Sequence, residues 1–397
     1  MTSETSRGGS ASQVRRSHVS AAPPPIISMI ITAGMLPMSN TFDVVAYGAV
    51  GDGKTDDTLS VRRAAAALAA ARGGTLRFPA NHTFVTGPFN LTSHAFLEVG
   101  GSVLGSKNST DWPLVDAGAV WPQFGHGSDC TPGSDTCRLM HQALVFAWNA
   151  TNISLGGGGT IDGHGQPWWD CANKLSAPPC NGHGRPHLLM LSNISTVTIT
   201  DLTFRNSPDW TLHFSSVDDL HVARVLVQNP KRDAPNSDGI DLDCVQRALV
   251  EDSVFDVGDD ALCVKSGINW FGRRYGRPSR DILFRNLTIG SGHGISVGSE
   301  TSGSVFNVTF DNIRMEGTDR GPRVKSERGR GGLVDGLVYR NIAAKDVGTA
   351  FSFTLNYASH LPKTNASATP RLRNILLENV TFDSAGSAGE INGLEER

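Results

Sequence analysis

Residues 197–204 read Val197-Thr198-Ile199-Thr200-Asp201-Leu202-Thr203-Phe204, and residues 248–255 read Ala248-Leu249-Val250-Glu251-Asp252-Ser253-Val254-Phe255. Both follow one pattern, apolar-x-apolar-x-Asp-x-x-apolar. Strict alternation over a few residues marks a short strand with one buried face. The Asp/Asn slot is a turn position, because these residues tolerate left-handed backbone and bond their own turns. The unit returns around Asn286, Asn312, Asn341 and Asn379, and a weaker copy from Leu220 to Val227 carries Arg224 in the slot. One strand per roughly 25 residues, repeated many times, describes a solenoid whose coils stack on one another. A β-sandwich would show turn signals about every 8–12 residues instead. The expected fold class is therefore all-β, a right-handed parallel β-helix. Coils ~4.8 Å apart then place equivalent side chains in ladders.

The rest of the chain fits that frame. A length of 397 residues alone suggests two or three domains, but the repeat makes residues 42–397 one solenoid. Glycine supplies 44 residues, about 11% against a usual ~7%, as a chain with many corners requires. An apolar content of 39% is enough for a large core. The net charge of −3 excludes a strongly basic nucleic-acid binder. No apolar run reaches ~18 residues, so no membrane span is expected. The Ala-rich segment from Val61 to Ala71 reads as a helix that caps the N-terminal end of the solenoid, where strand edges need covering.

Residues 1–41 stand apart. They are rich in Ser, Ala and Pro, carry Arg7, Arg15 and Arg16, and end in an apolar stretch from Ile26 to Leu36. They read either as a tail or as a secretory signal with a long basic leader. Asn-x-Ser/Thr sequons at Asn81, Asn90, Asn108, Asn149, Asn152, Asn193, Asn286, Asn307, Asn365 and Asn379 favour a secreted glycoprotein. The competing explanation is strand-entry chemistry, since several lie at turn-to-strand junctions. Cys130/Cys137 and Cys171/Cys180 are close pairs in Gly/Pro/Ser-rich loops, as short disulfides of a secreted protein would be. The spacing of nearby His126, His141, His183 and His187 matches no zinc pattern, so no metal is expected. Cys244 and Cys263 sit in apolar strand patterns and read as buried free thiols.

Four polar segments fall on consecutive coils: Asn236-Ser237-Asp238-Gly239-Ile240-Asp241, Gly258-Asp259-Asp260 running on to Gly267, Gly292-His293-Gly294 running on to Ser299, and Arg323-Val324-Lys325. Asp238 and Asp259 are 21 residues apart, about one coil, so they become near neighbours on one face. Clustered carboxylates cannot all ionise freely, and a raised pKa turns one into a proton donor. A paired acid and base is what glycosidic hydrolysis needs. Asp259 and Asp260 would point to opposite faces of a regular strand, so both can face a cleft only where the backbone bends; Gly258 permits that. Arg323 and Lys325 alternate and project to one side, where with His293 they would attract and orient an anionic substrate.

These segments resemble the four signatures of glycoside hydrolase family 28, the polygalacturonases: Asn-Thr-Asp, Gly-Asp-Asp, Gly-His-Gly and Arg-Ile-Lys. Further stretches resemble its exo-acting, plant- and bacterial-type branch. They are Phe42-Asp43-Val44-Val45-Ala46-Tyr47-Gly48-Ala49, Gly159-Thr160-Ile161-Asp162-Gly163, Arg185-Pro186-His187, Asn206-Ser207-Pro208-Asp209-Trp210 and Tyr275-Gly276-Arg277-Pro278-Ser279. The likeness spans roughly residues 42–393. It implies hydrolysis of α-1,4-galacturonosyl bonds of pectin with inversion. By the family pattern Asp259 is the general acid, Asp238 and Asp260 activate water, and His293 supports the acid. Asn236, Arg323, Lys325, Lys265 and Tyr357 would contact substrate. The resemblance implies a pectic polysaccharide as partner and no cofactor; the charge and the short apolar runs already speak against nucleic acid and membrane as partners, and a solenoid whose sides are covered by loops reads as a monomer.

Ser237 and Val324 are mild departures from the signatures, and Ala261 stands where many members carry Cys. Family members usually run one or two strands beyond the position of Arg397, so an uncapped last coil is expected. Alternatives left open are hydrolysis of rhamnogalacturonan or xylogalacturonan, a lyase on the same fold, and a β-helix that only binds wall polysaccharide.

Overall fold

In the computed structural model, residues 40–125, 138–357 and 368–395 are described. They wind into a parallel β-helix. Twenty-six strands join in one hydrogen-bonded system, and each strand pairs with its counterpart one coil away. Every pairing in that system is parallel. Residues Leu114–Asp116 and Leu139–His141 form a separate antiparallel pair on a loop. No helix among the described residues is long and apolar enough to cross a membrane. The expected pair Cys130/Cys137 and the tail expected at the N-terminus, up to residue 39, lie outside the described residues, whereas Cys171 and Cys180 are bonded to each other. Cys244 and Cys263 are buried free thiols, as their strand patterns suggested.

The polar slot behaves as its chemistry demands. Asp201, Arg224, Asp252, Asn286, Asn312, Asn341 and Asn379 all have φ between 50° and 57°, one left-handed residue per coil. That residue bends each long strand, such as Gln246–Asp256 or Val305–Glu316, between two faces of the coil. The side chains then bond coil to coil. Asn312 Nδ2 donates to Asn286 Oδ1 at 2.9 Å, and Asn379 Nδ2 donates to Asn341 Oδ1 at 2.9 Å. Sequon residues Asn193, Asn286, Asn307 and Asn379 all donate through Nδ2 in this way. At these positions the turn-ladder role accounts for the asparagine by itself.

Inside, one apolar core runs the length of the stack. Phe284, Phe310 and Tyr339 stack with ring centroids 4.9 Å apart, the spacing of the coils themselves. The two ends of the core differ. Helix α1 (Thr58–Ala70) begins three residues earlier than the Ala-rich run suggested and lays Val61, Ala64, Ala65 and Leu68 into the first coil. At the other end, the strand Arg371–Ser387 leaves Leu376 49% exposed, and the following strand Glu390–Asn392 leaves Ile391 74% exposed. Among the described residues nothing pairs with the outer edge of Arg371–Ser387.

Candidate active site

One ladder carries the chemistry. It stacks Val145–Ala150, Leu189–Ile194, the first part of Leu212–Ala223, Ile240–Asp243, Asp260–Lys265, Gly294–Gly298, Pro322–Lys325 and Ser352–Thr354. Leu191, Phe214, Leu242, Val264, Val297, Val324 and Phe353 are in register and fill the core. Strand alternation then sends the residues on either side outward. One outward row reads Phe146, Met190, His213, Asp241, Cys263, Ser296, Arg323 and Ser352. The other contains Ser192, Ser215, Asp243 and Lys265, and further along Lys325 and Thr354.

Asp238 precedes the strand Ile240–Asp243, and Asp259 precedes the strand opening with Asp260. The register shifts between Asp260 and Leu262, so a bulge lets both aspartates face the same side. Gly258 contributes differently from the bend expected of it. A Cβ there would stand 2.5 Å from the Pro230 carbonyl oxygen, so the glycine is required by close approach. Around His293 the glycines do carry unusual backbone: Gly292 and Gly294 have φ of 93° and 92°.

The predicted groups converge. Asp260 is fully buried; its Oδ1 accepts from Ser296 Oγ at 2.8 Å and from Arg323 at 3.2 Å, and its Oδ2 accepts from Lys325 Nζ at 2.6 Å. Asp259 Oδ1 accepts from His293 Nδ1 at 2.7 Å and from the Asp260 amide at 2.8 Å. His293 Nε2 lies 3.5 Å from Asp319. An oxygen of Asp259, an oxygen of Asp260 and a nitrogen of His293 all fall within 4.8 Å of one another. The Tyr357 ring covers both cations, 5.5 Å from Arg323 and 5.4 Å from Lys325. Asn236 sits at the rim with φ of 55°, its Oδ1 held by Arg185 at 2.8 Å.

Lys265, the further candidate contact, lies deep in the cluster. It is 4% exposed, pairs with Glu300 at 3.2 Å and Asp241 at 3.5 Å, and lies over the Trp210 ring at 4.4 Å. Its stem stays buried because Trp210 and Glu300 satisfy it there. Sequence reading missed Glu300, Trp210 and Cys263 as neighbours of the site. Trp210 lies just before the strand Leu212–Ala223 and Glu300 just after Gly294–Gly298, and both reach Lys265 only because the coils stack, while Cys263 reads like any small residue of a buried strand.

Charges are distributed unevenly over the cluster. Burial raises the Asp260 carboxyl, but Lys325, Arg323 and Lys265 reverse this and hold it well below the carboxylate range. Burial, with Asp241 and Asp259 adding like charge, pushes Asp238 well above its ordinary value. Burial would also raise Asp259, yet the His293 hydrogen bond and the field of Lys325 keep it low. The same hydrogen bond raises His293. Burial would raise Glu300 too, but Lys265 and Arg330 hold it at about 2. Lys265 is thereby satisfied by an ionised Glu300, and burial pushes Asp241 up to about 8. Burial and the neighbouring cations thus favour protons on Asp238, Asp241 and His293 and negative charge on Asp259, Asp260 and Glu300.

The other half of the ladder is covered. Helix α2 (Ala117–Val120) and the residues after it lie across the outward rows. Trp121 Nε1 donates to Asp243 at 2.6 Å, Gln123 Nε2 donates to Ser215 at 2.8 Å, and Ser192 Oγ bonds the Val120 carbonyl. Trp121, Phe124, Met140, Phe146, Met190, Trp210 and Ile268 form a second apolar cluster there, with Phe271 of the later helix Asn269–Tyr275 against it. Tyr275 from that helix bonds Ser216 at 2.9 Å.

Known proteins can now be set beside this geometry. The family described as glycosyl hydrolases family 28 matches residues 135–394. A probable polygalacturonase of Vitis vinifera is 31% identical over 90% of this chain and 71% of its own length. A polygalacturonase of Juniperus ashei is 30% identical over 76% of this chain and 54% of its own length. The crystal structure of a hyperthermoactive exopolygalacturonase from Thermotoga maritima superposes with a TM-score of 0.76 at 26% identity, covering 91% of this chain and 84% of that one. The matched span includes all four polar segments that meet on the open half of the ladder, and the chain belongs to glycosyl hydrolase family 28.

Proposed function

We propose that the protein hydrolyses α-1,4-galacturonosyl bonds of pectic polygalacturonate, working outside the cell on wall material from one end of the polymer chain. The observation that carries this reading is the contact of Arg323 and Lys325 with Asp260 beneath Tyr357. A cationic pair over an aspartate cluster suits a substrate that is anionic beside the bond being broken.

The electrostatics suggest how the roles are divided. A galacturonate carboxylate gripped by Arg323 and Lys325 competes with Asp260 for them. Lys325 is one of the groups holding both Asp259 and Asp260 low. Substrate therefore raises both carboxyls at the moment of binding. Asp259 then takes the proton shared with His293 Nδ1 and delivers it to the glycosidic oxygen. Asp238 and Asp260 activate the attacking water between them. One negative charge on that pair is enough to accept one proton from water, and Asp260 carries it while Asp238 holds its own proton.

Oxygens of Asp259 and Asp260 approach within 4.8 Å, closer than the ~6.5–9.5 Å common in inverting enzymes. Inversion then requires the water to enter beside the pair, against Asp238. The anomeric form of the first product, read by proton NMR during hydrolysis, tests this directly: a β-anomer is expected, and an α-anomer sinks the inverting reading. The covered half of the ladder supports attack from a chain end, because a polymer cannot run through Trp121 and Phe124. Incubation with polygalacturonate should release new reducing ends as monomer while viscosity falls slowly. Early oligomers with a fast viscosity drop would refute the end-directed mode, and no reducing ends from folded protein would refute hydrolysis.

A further inference from the structure

His293 has two ring nitrogens, and Asp259 takes only one of them. Three successive corners of the helix stack at this point. The His293 amide donates to the Asp259 carbonyl oxygen at 2.8 Å, and the Asp319 amide donates to the Gly292 carbonyl oxygen at 2.8 Å. The stack is tight: a Cβ on Gly292 would overlap the Asp259 carbonyl oxygen, and one on Gly294 would overlap that of Arg320. One coil further, the Thr349 amide donates to the Asp319 carbonyl oxygen at 2.9 Å. The side chains of these corners line up as carboxylate, imidazole, carboxylate. Asp259 Oδ1 lies 2.7 Å from His293 Nδ1, and Asp319 Oδ2 lies 3.5 Å from His293 Nε2.

Among the described residues, the Asp319 carboxylate forms its only ion pair with His293 Nε2. A neutral imidazole has one N–H and serves one carboxylate as donor, whereas the imidazolium has two and serves both. The flanking carboxylates therefore match a charged ring. The other charged groups on or against these corners are Asp260, Arg320, Lys325 across the cleft, and Lys231, whose Nζ donates to the Gly317 carbonyl oxygen at 3.1 Å. The Asp259 hydrogen bond raises His293, burial opposes it, the charges of Asp259 and Asp260 add to the rise, and Lys325 lowers it. The Asp319 side chain is 57% exposed, so its pull on the ring is screened by water and modest.

We propose that Asp319 is a positioning residue for the proton-donating pair: it holds a hydrogen on His293 Nε2, so that Nδ1 is the atom that exchanges its proton with Asp259. The catalytic part of this rests on the hydrolase reading; the Asp319–His293 pairing does not. In the reaction the Nδ1–H bond breaks, its electron pair stays on Nδ1, and the proton passes through Asp259 to the glycosidic oxygen, where the new O–H bond forms on the departing sugar. The ring is then neutral, with its remaining hydrogen on Nε2 facing Asp319. The Nδ1 lone pair is left aimed at Asp259, and one proton from solvent restores the pair for the next turnover. Without the Asp319 carboxylate the neutral ring can carry its hydrogen on either nitrogen, and the charged ring is less favoured.

The test compares Asp319→Asn and Asp319→Glu with wild type by two measurements on the full-length protein. The first follows the His293 Cε1–H signal against pH by NMR in protein carrying ¹³C-labelled histidine; of the 12 histidines, His293 is the one whose signal His293→Gln removes. The second follows kcat for reducing ends from polygalacturonate against pH, each variant scaled to its own acidic plateau. Asp319→Asn should lower the His293 midpoint by about half a pH unit, the size of an exposed ion pair, and move the alkaline limb of kcat down with it, about threefold less activity on that limb. Asp319→Glu should keep both near wild type. A change that only disturbed the loop would lower the plateau and leave the limb in place. A wild-type His293 midpoint in folded Asp319→Asn overturns the proposal, as does a lowered midpoint with an unmoved limb, or a Glu variant that shifts as far as the Asn one. A wild type that releases no reducing ends, with the His293 midpoint lowered in Asp319→Asn, overturns the hydrolase reading and leaves the Asp319–His293 pairing standing.

Discussion

Two halves of one ladder carry the same outward rows and are finished differently. Over the coils of Phe146, Met190 and Ser215, the outward side chains meet Trp121, Phe124 and Gln123 and are sealed under an apolar cluster. Further along, the same rows hold Ser296, Arg323 and Lys325, which bond Asp260 and are roofed by the Tyr357 ring, while the His293 side chain at the edge is 36% exposed. The sealed half converts outward positions into a second core and contributes stability. The open half keeps buried charge, which costs stability unless each group is paired, and under the proposed function it is where a substrate anion would exchange with Asp260. Asp243 and Asp260 show the contrast in single residues. Both are buried carboxylates on this ladder. Asp243 is bonded to Trp121, Gln123 and the Gly267 amide, a fixed set. Asp260 is bonded to two cations, Arg323 and Lys325, which under the proposed function a substrate carboxylate would draw away.

The strongest way to break this comparison is to remove charge from the open half alone. Asp259→Asn and Asp260→Asn should each lower kcat by about 10³-fold, measured as reducing ends from polygalacturonate, with the circular dichroism of the fold retained. Next comes the sealed half. Trp121→Ala should cost about 3–5 kcal/mol of stability in denaturant unfolding, because it opens a cavity and removes a donor from buried Asp243. If Trp121→Ala cost nothing, the sealed cluster would not be a core. Arg323→Ala should lower kcat/KM by about 30- to 100-fold, on the order of 2–3 kcal/mol for a lost charged hydrogen-bond partner, and mostly through KM.

The smallest expected effect is on pH. Asp241 holds a proton in the folded protein up to about pH 8, whereas the unfolded chain releases it near the ordinary carboxyl value of ~3.9. Between those limits the folded state binds more protons, so stability falls as pH rises. Asp260 acts oppositely: it is ionised when folded, and its contribution is lost only as pH falls below the ordinary carboxyl range. The melting temperature should therefore be higher at pH 5 than at pH 8 by at least about 2 °C, and Asp241→Asn should flatten that slope. An Asp241→Asn protein with the wild-type slope would assign the effect to other groups.

Much of this molecule is legible along the chain, and the reasons are local. The polar slot announces a left-handed turn because few side chains accept that backbone, and even the weaker copy with Arg224 obeys it. The Asp259-Asp260 pair announces a bend because strand alternation forbids both on one face, although the bulge after Asp260, not a flexed Gly258, supplies it. Lys265 was harder. Its place in the strand is readable, but whether it meets substrate or Glu300 depends on a loop 35 residues away. The sealing of half the ladder was hidden for the same reason: the segment from Ala117 to Phe124 has no pattern that says which face it will cover.

By itself, then, the sequence determined the period of the coil, the position of each corner and the order of the candidate site side chains along the ladder. These follow from backbone preferences and from alternation, which act within a few residues. Only the tertiary structure decided which outward residues stay open, which carboxyl keeps its proton and which cation it faces. Those outcomes depend on burial and on fields between groups far apart in the chain, and such terms exist only once the coils are stacked.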